Sequence, residues 1–142
     1  MDYFLGIDLG SSSVKVSILD GKKGKSIISC NYPEKEMDVF SLQSGWAEQD
    51  PDYWWECVVS CFEILNKKID FSLIASVGIS YQMHGLVLID KNGKPLRKSI
   101  IWCDSRAVDI GKKANELIKP EKYKGIILTI KLKTFSSKII NK

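Results

Sequence analysis

Three short segments carry residues that could bind a ligand or do chemistry. The first is Gly6-Ile-Asp8-Leu-Gly10-Ser11-Ser12-Ser13, in which a carboxylate directly precedes a turn of glycine and serine. Such a turn exposes backbone N–H groups and hydroxyls to an anion, and the carboxylate suits Mg²⁺ that keeps its waters beside a phosphate. The segment has neither the Walker A spacing nor the Gly-x-Gly-x-x-Gly spacing. The alternative is a plain β-hairpin turn.

The second segment is Tyr81-Gln82-Met83-His84-Gly85, which follows a predicted strand. Ligands of open α/β sheets bind beyond the carboxyl ends of parallel strands, and this segment lies at such a place. Gln82 and His84 can hydrogen-bond hydroxyl groups, and Gly85 permits a close approach. The alternative is that His84 has a purely structural role.

The third segment is Trp102-Cys-Asp104-Ser-Arg106, at a predicted strand-to-helix junction. Asp104 and Arg106 offer an acceptor and a forked donor to a polyol. The indole of Trp102 offers an apolar face to the C–H side of a sugar. The alternative is an N-cap aspartate followed by a surface arginine.

The chain before these last two segments predicts a meander and a helix. Residues 3–9 are nearly all apolar, which predicts a strand buried on both faces. Residues 14–20 alternate as a half-buried strand does, and residues 25–31 predict a third strand. Asp50 and Pro51 then predict the start of a helix that ends near residues 66–68. Its apolar face is formed by Trp54, Val58, Cys61 and Leu65.

The second half predicts strands around a turn and then a last helix. Residues 73–80 predict another buried strand, and residues 85–90 and 97–102 a hairpin about Asn92-Gly93. Asp104 is expected to cap a helix that runs to about residue 118, where Pro120 stops it. The order of elements predicts a mixed α/β sheet with helices packed on it. We expect one domain over residues 1–118 and a basic segment over residues 119–142, with seven Lys and one Glu.

The composition is that of a globular protein, which excludes collagen-like, low-complexity and wholly disordered chains. The 142 residues are 44% hydrophobic and 27% charged, the balance of a globular protein. Residues 1–90 hold 7 Lys and 13 acids, whereas residues 91–142 hold 14 basic residues and 4 acids. Only two of the 21 basic residues are Arg, and no basic run has interleaved aromatics, so we expect no nucleic-acid partner.

Cysteine spacing bears on metal and disulfide bonding, and hydropathy bears on membrane insertion. The four cysteines contain no Cys-x-x-Cys pair, so neither zinc nor a disulfide is indicated. No run approaches the roughly 18 apolar residues of a membrane span, and Asp2 and Asp8 break any signal peptide. We therefore expect no membrane partner and a cytoplasmic location.

Taken in order, the three segments resemble the N-terminal part of the FGGY family of carbohydrate kinases, with the xylulokinase branch as the nearest match. The quoted stretches are YFLGIDLGSSSVKVSILD, SGWAEQDPDYWWE and ISYQMHGLVLIDKNGKPLRKSIIWCDSRA. The resemblance covers about residues 3–118 and extends weakly to residues 135–138. It implies a ribonuclease-H-like domain of the actin/hexokinase/Hsp70 ATPase superfamily, here an incomplete N-terminal domain.

The resemblance also implies transfer of the ATP γ-phosphate to a sugar hydroxyl. D-xylulose, giving D-xylulose 5-phosphate, is the expected sugar; ribulose, gluconate and glycerol are alternatives, as is a non-catalytic remnant that only binds sugar. Asp8 would match the Mg²⁺-associated acid, acting through water. The remaining matches are the phosphate hairpin (Gly10, Ser11, Ser12, Ser13) and the sugar-binding residues (Gln82, Met83, His84, Trp102, Asp104, Arg106).

One departure from the family is large. Family members are several-fold longer, and the resemblance places their catalytic base beyond residue 142. The acids after Asp104 are Asp109, Glu116 and Glu121, and none lies in a segment that resembles the family's catalytic motif. We therefore expect a fragment that is inactive alone, with the missing C-terminal part as its partner if that part is separately encoded.

Overall fold

A computed structural model describes residues 3–117. The chain divides into two compact units, Met1–Asp104 and Ser105–Lys142. The first unit holds the strands β1 (Tyr3–Leu9), β2 (Val14–Asp20), β3 (Lys25–Tyr32), β4 (Glu48–Gln49), β5 (Ile74–Tyr81) and β6 (Ser99–Ile100), and the helix α1 (Pro51–Asn66). The second holds the helix α2 (Val108–Leu117). The predicted segment 119–142 lies outside the described residues.

The main sheet has four strands in the order β3-β2-β1-β5. The first three form the antiparallel meander that the sequence predicts. The fourth strand, β5, returns after α1 and pairs with β1 in parallel. This crossover sets Asp8 opposite Ser80 and Leu9 opposite Tyr81. The end of β5 therefore lies beside the turn that follows β1.

Helix α1 forms because its first turn is capped and one of its faces is apolar. The Asp50 Oδ1 atom accepts a hydrogen bond from the Asp52 N–H at 3.0 Å, and Pro51 occupies the first helical position. The helix packs on β2 and β3. Its buried face is the predicted one with one addition: Trp54, Cys57, Val58, Cys61 and Leu65. Val14, Val16 and Ile18 of β2, facing it, have no exposed surface.

The predicted burial of β1 and β5 is wrong, although both strands form. On β1, Leu5 and Ile7 are buried, but Phe4 on the other face is 39% exposed. On β5, Val77, Ile79 and Tyr81 are 55%, 65% and 47% exposed. The reason is that α1 covers the β2 and β3 half of the sheet, and no second α-helix is described within the first unit.

The hairpin predicted about Asn92-Gly93 forms, but the pairing of its two arms is short. Asp90 accepts hydrogen bonds from the N–H groups of Asn92 and Lys94 through Oδ1, and Gly93 has φ 82°. The flanking residues meet only at the single bridges Leu86–Ile100 and Ile89–Pro95. The predicted strands 85–90 and 97–102 are not continuous, and Ile100 of β6 pairs with Leu86 as well as with Glu48 of β4.

The last helix begins later than predicted. α2 starts at Val108, whose N–H donates to the Ser105 carbonyl oxygen at 3.0 Å. Because α2 begins at Val108, Asp104 lies too far ahead of it to be its N-cap. The Asp104 Oδ2 atom accepts a hydrogen bond from the Ala47 N–H at 2.7 Å. The predicted stop at Pro120 lies outside the described residues. Neither helix in residues 3–117 has the length and apolar character needed to cross a bilayer.

Candidate functional site

The turn between β1 and β2, residues 10–13, is closed tightly. The Gly10 N–H donates to the Ser13 carbonyl oxygen at 3.1 Å. A Cβ on Gly10 would lie 3.0 Å from that same oxygen, so a side chain here would be crowded and the turn favours glycine. The Ser12 carbonyl accepts from the Met37 N–H at 2.8 Å, and the Ser13 hydroxyl donates to Asn31 Oδ1 at 2.9 Å. The turn is thus held by neighbouring segments on both sides.

Ser11 joins this turn to the third candidate segment. The Trp102 Nε1–H donates to the Ser11 hydroxyl at 3.3 Å, across 91 residues of sequence. Trp102 remains 59% exposed, so most of its ring surface stays open to solvent. The structure therefore brings the predicted phosphate turn and the predicted sugar-binding tryptophan together.

Asp8 lies on the face of the sheet that α1 does not cover. Its Oδ1 atom accepts a hydrogen bond from the Ser80 hydroxyl at 3.0 Å. Lys15 is its cross-strand partner on β2. An open cavity of about 470 Å³ lies over these residues; its lining is Gly6, Ile7, Asp8, Lys15, Ser17, Gly78, Ile79 and Ser80. The lining of this cavity thus combines an acidic residue, Asp8, and a basic residue, Lys15, with two glycines.

The surroundings of Asp8 decide how a divalent cation could bind. Within residues 3–117 no group of three or more His, Cys, Asp or Glu side chains could hold a metal ion. Asp8 therefore belongs to no such group, and one of its oxygens is already engaged by Ser80. Mg²⁺ is often held through one or two carboxylates and several waters beside a phosphate. The donor set fits a hydrated Mg²⁺ and does not fit a metal enclosed by protein ligands.

The second candidate segment begins where β5 ends. The Gln82 N–H donates to the Leu9 carbonyl oxygen at 2.8 Å, which places residues 82–85 beside the turn. Met83 is 66% exposed, and the His84 side chain is exposed as well. His84 has φ 65°, in the left-handed region, which costs a non-glycine residue roughly 1–2 kcal/mol. Strain of this kind is found at functional sites.

The side chains of Gln82 and Asp104 are engaged inside the protein. Gln82 Nε2 donates to Gln49 Oε1 at 3.5 Å, and its own Oε1 is buried with no hydrogen-bond partner among the described residues. Asp104 Oδ2 holds the Ala47 N–H. Arg106 belongs to the second compact unit. Sugar binding by these three residues stays a prediction.

Gln49 is a residue that the sequence does not single out. It is 1% exposed and contacts both the Ser11 carbonyl and Gln82. A polar residue just before an N-cap has the pattern of an ordinary loop position, so only its long-range partners reveal it.

The buried cysteines, Cys57 and Cys61, are not candidates for nucleophilic chemistry. All four are free thiols. Burial raises the pKa of Cys61 to about 12, and burial also raises the pKa of Cys57. A thiol in that state is protonated at neutral pH and does not act as a nucleophile.

The comparison with known families decides the identity of this arrangement. Residues 3–141 match the family model described as the FGGY family of carbohydrate kinases, N-terminal domain. The chain belongs to the FGGY family of carbohydrate kinases. The predicted family is thereby confirmed.

Similar proteins agree with this assignment. A xylulose kinase from Staphylococcus epidermidis is 38% identical over 104 residues, which is 72% of this chain and 20% of the relative. A "xyloylose kinase" structure from Brucella ovis matches with TM-score 0.72 and 33% identity, covering 80% of this chain and 24% of its own. A gluconate kinase structure from Lactobacillus acidophilus matches with TM-score 0.71 and 30% identity, covering 81% and 22%.

These matches confirm the predicted fold class. The sheet order, with an antiparallel meander and a parallel strand beside β1, is that of the ribonuclease-H-like fold shared by FGGY kinases. The chain spans about a fifth of the length of the curated relatives it matches.

Proposed function

We propose that this chain supplies the N-terminal part of an ATP-dependent kinase that phosphorylates D-xylulose to D-xylulose 5-phosphate. Family membership supports a phosphotransferase, and the similar proteins named xylulose kinase support this sugar. A cytoplasmic location belongs to the same proposal because the phosphoryl donor is ATP.

The contact between Trp102 and Ser11 carries the proposal. Phosphoryl transfer depends mainly on bringing the acceptor hydroxyl and the phosphate together in a fixed orientation. The indole N–H is bonded to the glycine–serine turn while most of the ring stays open. A sugar that stacks on this ring is therefore held beside the turn that binds phosphate.

The turn and Asp8 have complementary roles in this proposal. In the turn of residues 10–13, Gly10 closes the turn onto Ser13, and Ser11, Ser12 and Ser13 offer backbone N–H groups and hydroxyls to the phosphates. The ammonium group of Lys15, in the same cavity lining as Asp8, offsets the phosphate charge. Mg²⁺, when bound, neutralises charge on the phosphates. Asp8 would hold that ion through its waters, and Ser80 fixes the carboxylate for this role.

The proposed sugar-binding surface is formed by the side chains of Met83, His84 and Trp102. All three side chains are exposed. Met83 and His84 follow the end of β5, and Trp102 is hydrogen-bonded to Ser11 of the turn. Gln82 and Asp104 would hold these side chains in place through their hydrogen bonds to Gln49 and Ala47.

Another polyol, such as gluconate, is the alternative substrate, and the match to a gluconate kinase structure supports it. The gluconate kinase of Lactobacillus acidophilus matches the chain about as well as the Brucella ovis structure does. A sugar-binding chain without turnover is the other alternative, because the chain spans a fifth of the relatives' length.

Calorimetric titration of the 142-residue chain with D-xylulose tests the proposal. We expect binding of D-xylulose in preference to D-ribulose, gluconate and glycerol. Trp102→Ala should weaken it about tenfold, since an aromatic contact contributes roughly 0.5–1.5 kcal/mol beyond area burial. Trp55→Ala is the matched control, because Trp55 is 65% exposed on α1. Stronger binding of gluconate, or equal effects of both substitutions, would contradict the assignment.

A further inference from the structure

The Gln49 side chain connects four segments of the first unit. Its Nε2 atom donates to the Ser11 carbonyl at 2.6 Å and to the Asp38 carbonyl at 3.4 Å. Its Oε1 atom accepts from Trp54 Nε1 at 3.2 Å and from Gln82 Nε2 at 3.5 Å. The residue is 1% exposed, so water does not compete for these bonds.

The neighbours leave one orientation for this amide. Backbone carbonyls only accept hydrogen bonds, so the atom that faces Ser11 and Asp38 must be the NH₂ group. An indole N–H only donates, so the atom that faces Trp54 must be the amide oxygen. Reversing the amide would set oxygen against two carbonyl oxygens and NH₂ against the indole N–H. The orientation therefore follows from the chemistry of the partners.

We propose that Gln49 is a positioning residue that holds the turn of residues 10–13 and the segment of residues 82–85 in one arrangement. The functional meaning of this proposal rests on the proposed function, in which the two parts bind phosphate and sugar. Gln49 itself is buried, and it acts through Ser11 on one side and Gln82 on the other.

No other residue type meets these demands. Glutamate has the same shape, but an ionised carboxylate has no donor for the two carbonyls and leaves them unsatisfied in a buried place. Methionine keeps the volume and loses all four hydrogen bonds. Asparagine has the amide but is one methylene shorter. Substitution of Gln49 should therefore weaken the attachment of both the turn of residues 10–13 and the segment of residues 82–85.

Amide hydrogen exchange followed by NMR on the 142-residue chain tests the proposal. The reporters are the N–H groups of Gly10, Met37 and Gln82, each bonded to a carbonyl of β1, the turn or its edge. In Gln49→Glu at pH 8 we expect their protection to fall about tenfold or more. Protection of the β2 and β3 ladder should stay unchanged. Gln43→Glu, the same substitution at an exposed glutamine, is the matched control.

The pH dependence separates positioning from a simple loss of packing. Protonation of the carboxylate that Gln49→Glu introduces restores a donor, so the protection loss in this variant should be smaller at pH 5 than at pH 8. Gln49→Met, which introduces no titratable group, should show the same loss at both values. Equal losses in both variants at both pH values would overturn the proposal. So would an exchange increase that includes the β2 and β3 ladder equally, since that is global unfolding.

Calorimetry on the same variants keeps the two proposals distinct. Local loss of protection together with weaker D-xylulose binding supports both. Local loss of protection in a chain whose wild type binds none of the four polyols supports the positioning role and contradicts the proposed function. Unchanged protection in both Gln49 variants contradicts the positioning role whatever the sugar result.

Discussion

The two halves of the main sheet carry similar apolar residues and differ in what covers them. In the covered half, Val14, Val16 and Ile18 on β2 have no exposed surface beneath α1. In the open half, Val77 and Ile79 on β5 are 55% and 65% exposed. The candidate site lies in the open half, at the turn end of β1 and β5. In the proposed function, stability and ligand binding are therefore carried by different parts of one sheet.

The largest effect that sharpens this comparison is on stability. Ile18→Ala should lower the free energy of unfolding by about 2–5 kcal/mol, because it removes buried methyl groups and leaves a cavity. Ile79→Ala makes the same chemical change in the open half, where the cost should stay within about 0.5 kcal/mol. Urea denaturation followed by circular dichroism measures both. Equal costs would mean that β5 is covered in solution.

The cysteines make the same comparison chemically. Burial raises the pKa of Cys61 to about 12 from an ordinary 9.0, whereas Cys103 is exposed. At pH 8 we expect a thiol reagent such as iodoacetamide to label Cys103 while Cys61 stays unlabelled in the folded chain. Mass spectrometry of peptides identifies the labelled residues. Labelling of Cys61 at the rate of Cys103 would show that α1 opens readily.

The raised pKa also predicts how stability depends on pH. In the folded state Cys61 keeps its proton up to about pH 12, while in the unfolded state it loses it near 9.0. The folded state therefore binds more protons in this window, and stability should fall as pH rises through it. Cys61→Ala should remove this part of the alkaline slope while lowering stability at neutral pH, and urea denaturation across the window measures both.

The covered half was the part most readily predicted from the sequence. Strand β2 follows from local alternation, and helix α1 follows from the Asp50 cap and from a single apolar face. The exposure of β5 could not be predicted in this way, because an apolar run has the same pattern whether or not another element covers it. Burial depends on non-local partners.

The candidate site shows the same limit. The glycine–serine turn and the position of residues 82–85 follow from strand ends. The Asp104 contact with Ala47, the Trp102 contact with Ser11 and the role of Gln49 depend on residues far apart in the chain. The sequence favoured an N-cap for Asp104 because that local alternative is common. The long-range hydrogen bond to a strand edge was not predicted.

The smallest effect concerns strain in the open half. His84 has φ 65° and Gly24, in the turn between β2 and β3, has φ 62°. A side chain at such an angle is unfavourable, so His84→Gly should be more stable than His84→Ala by about 1 kcal/mol. Gly24→Ala should cost a similar amount, because a Cβ there meets nothing within 4 Å and only the backbone angle opposes it. Urea denaturation of the three variants measures these differences.

The same substitutions separate strain from binding. If the strained angle serves to present the imidazole to a sugar, His84→Gly and His84→Ala should weaken D-xylulose binding alike, while Gly24→Ala should leave it unchanged. The expected loss is that of one hydrogen bond, about 1 kcal/mol. Stability then rises and affinity falls in a single variant, His84→Gly, which is the pattern expected when strain is kept for a ligand. Unchanged affinity in both His84 variants would instead assign the angle to the chain path between β5 and Leu86.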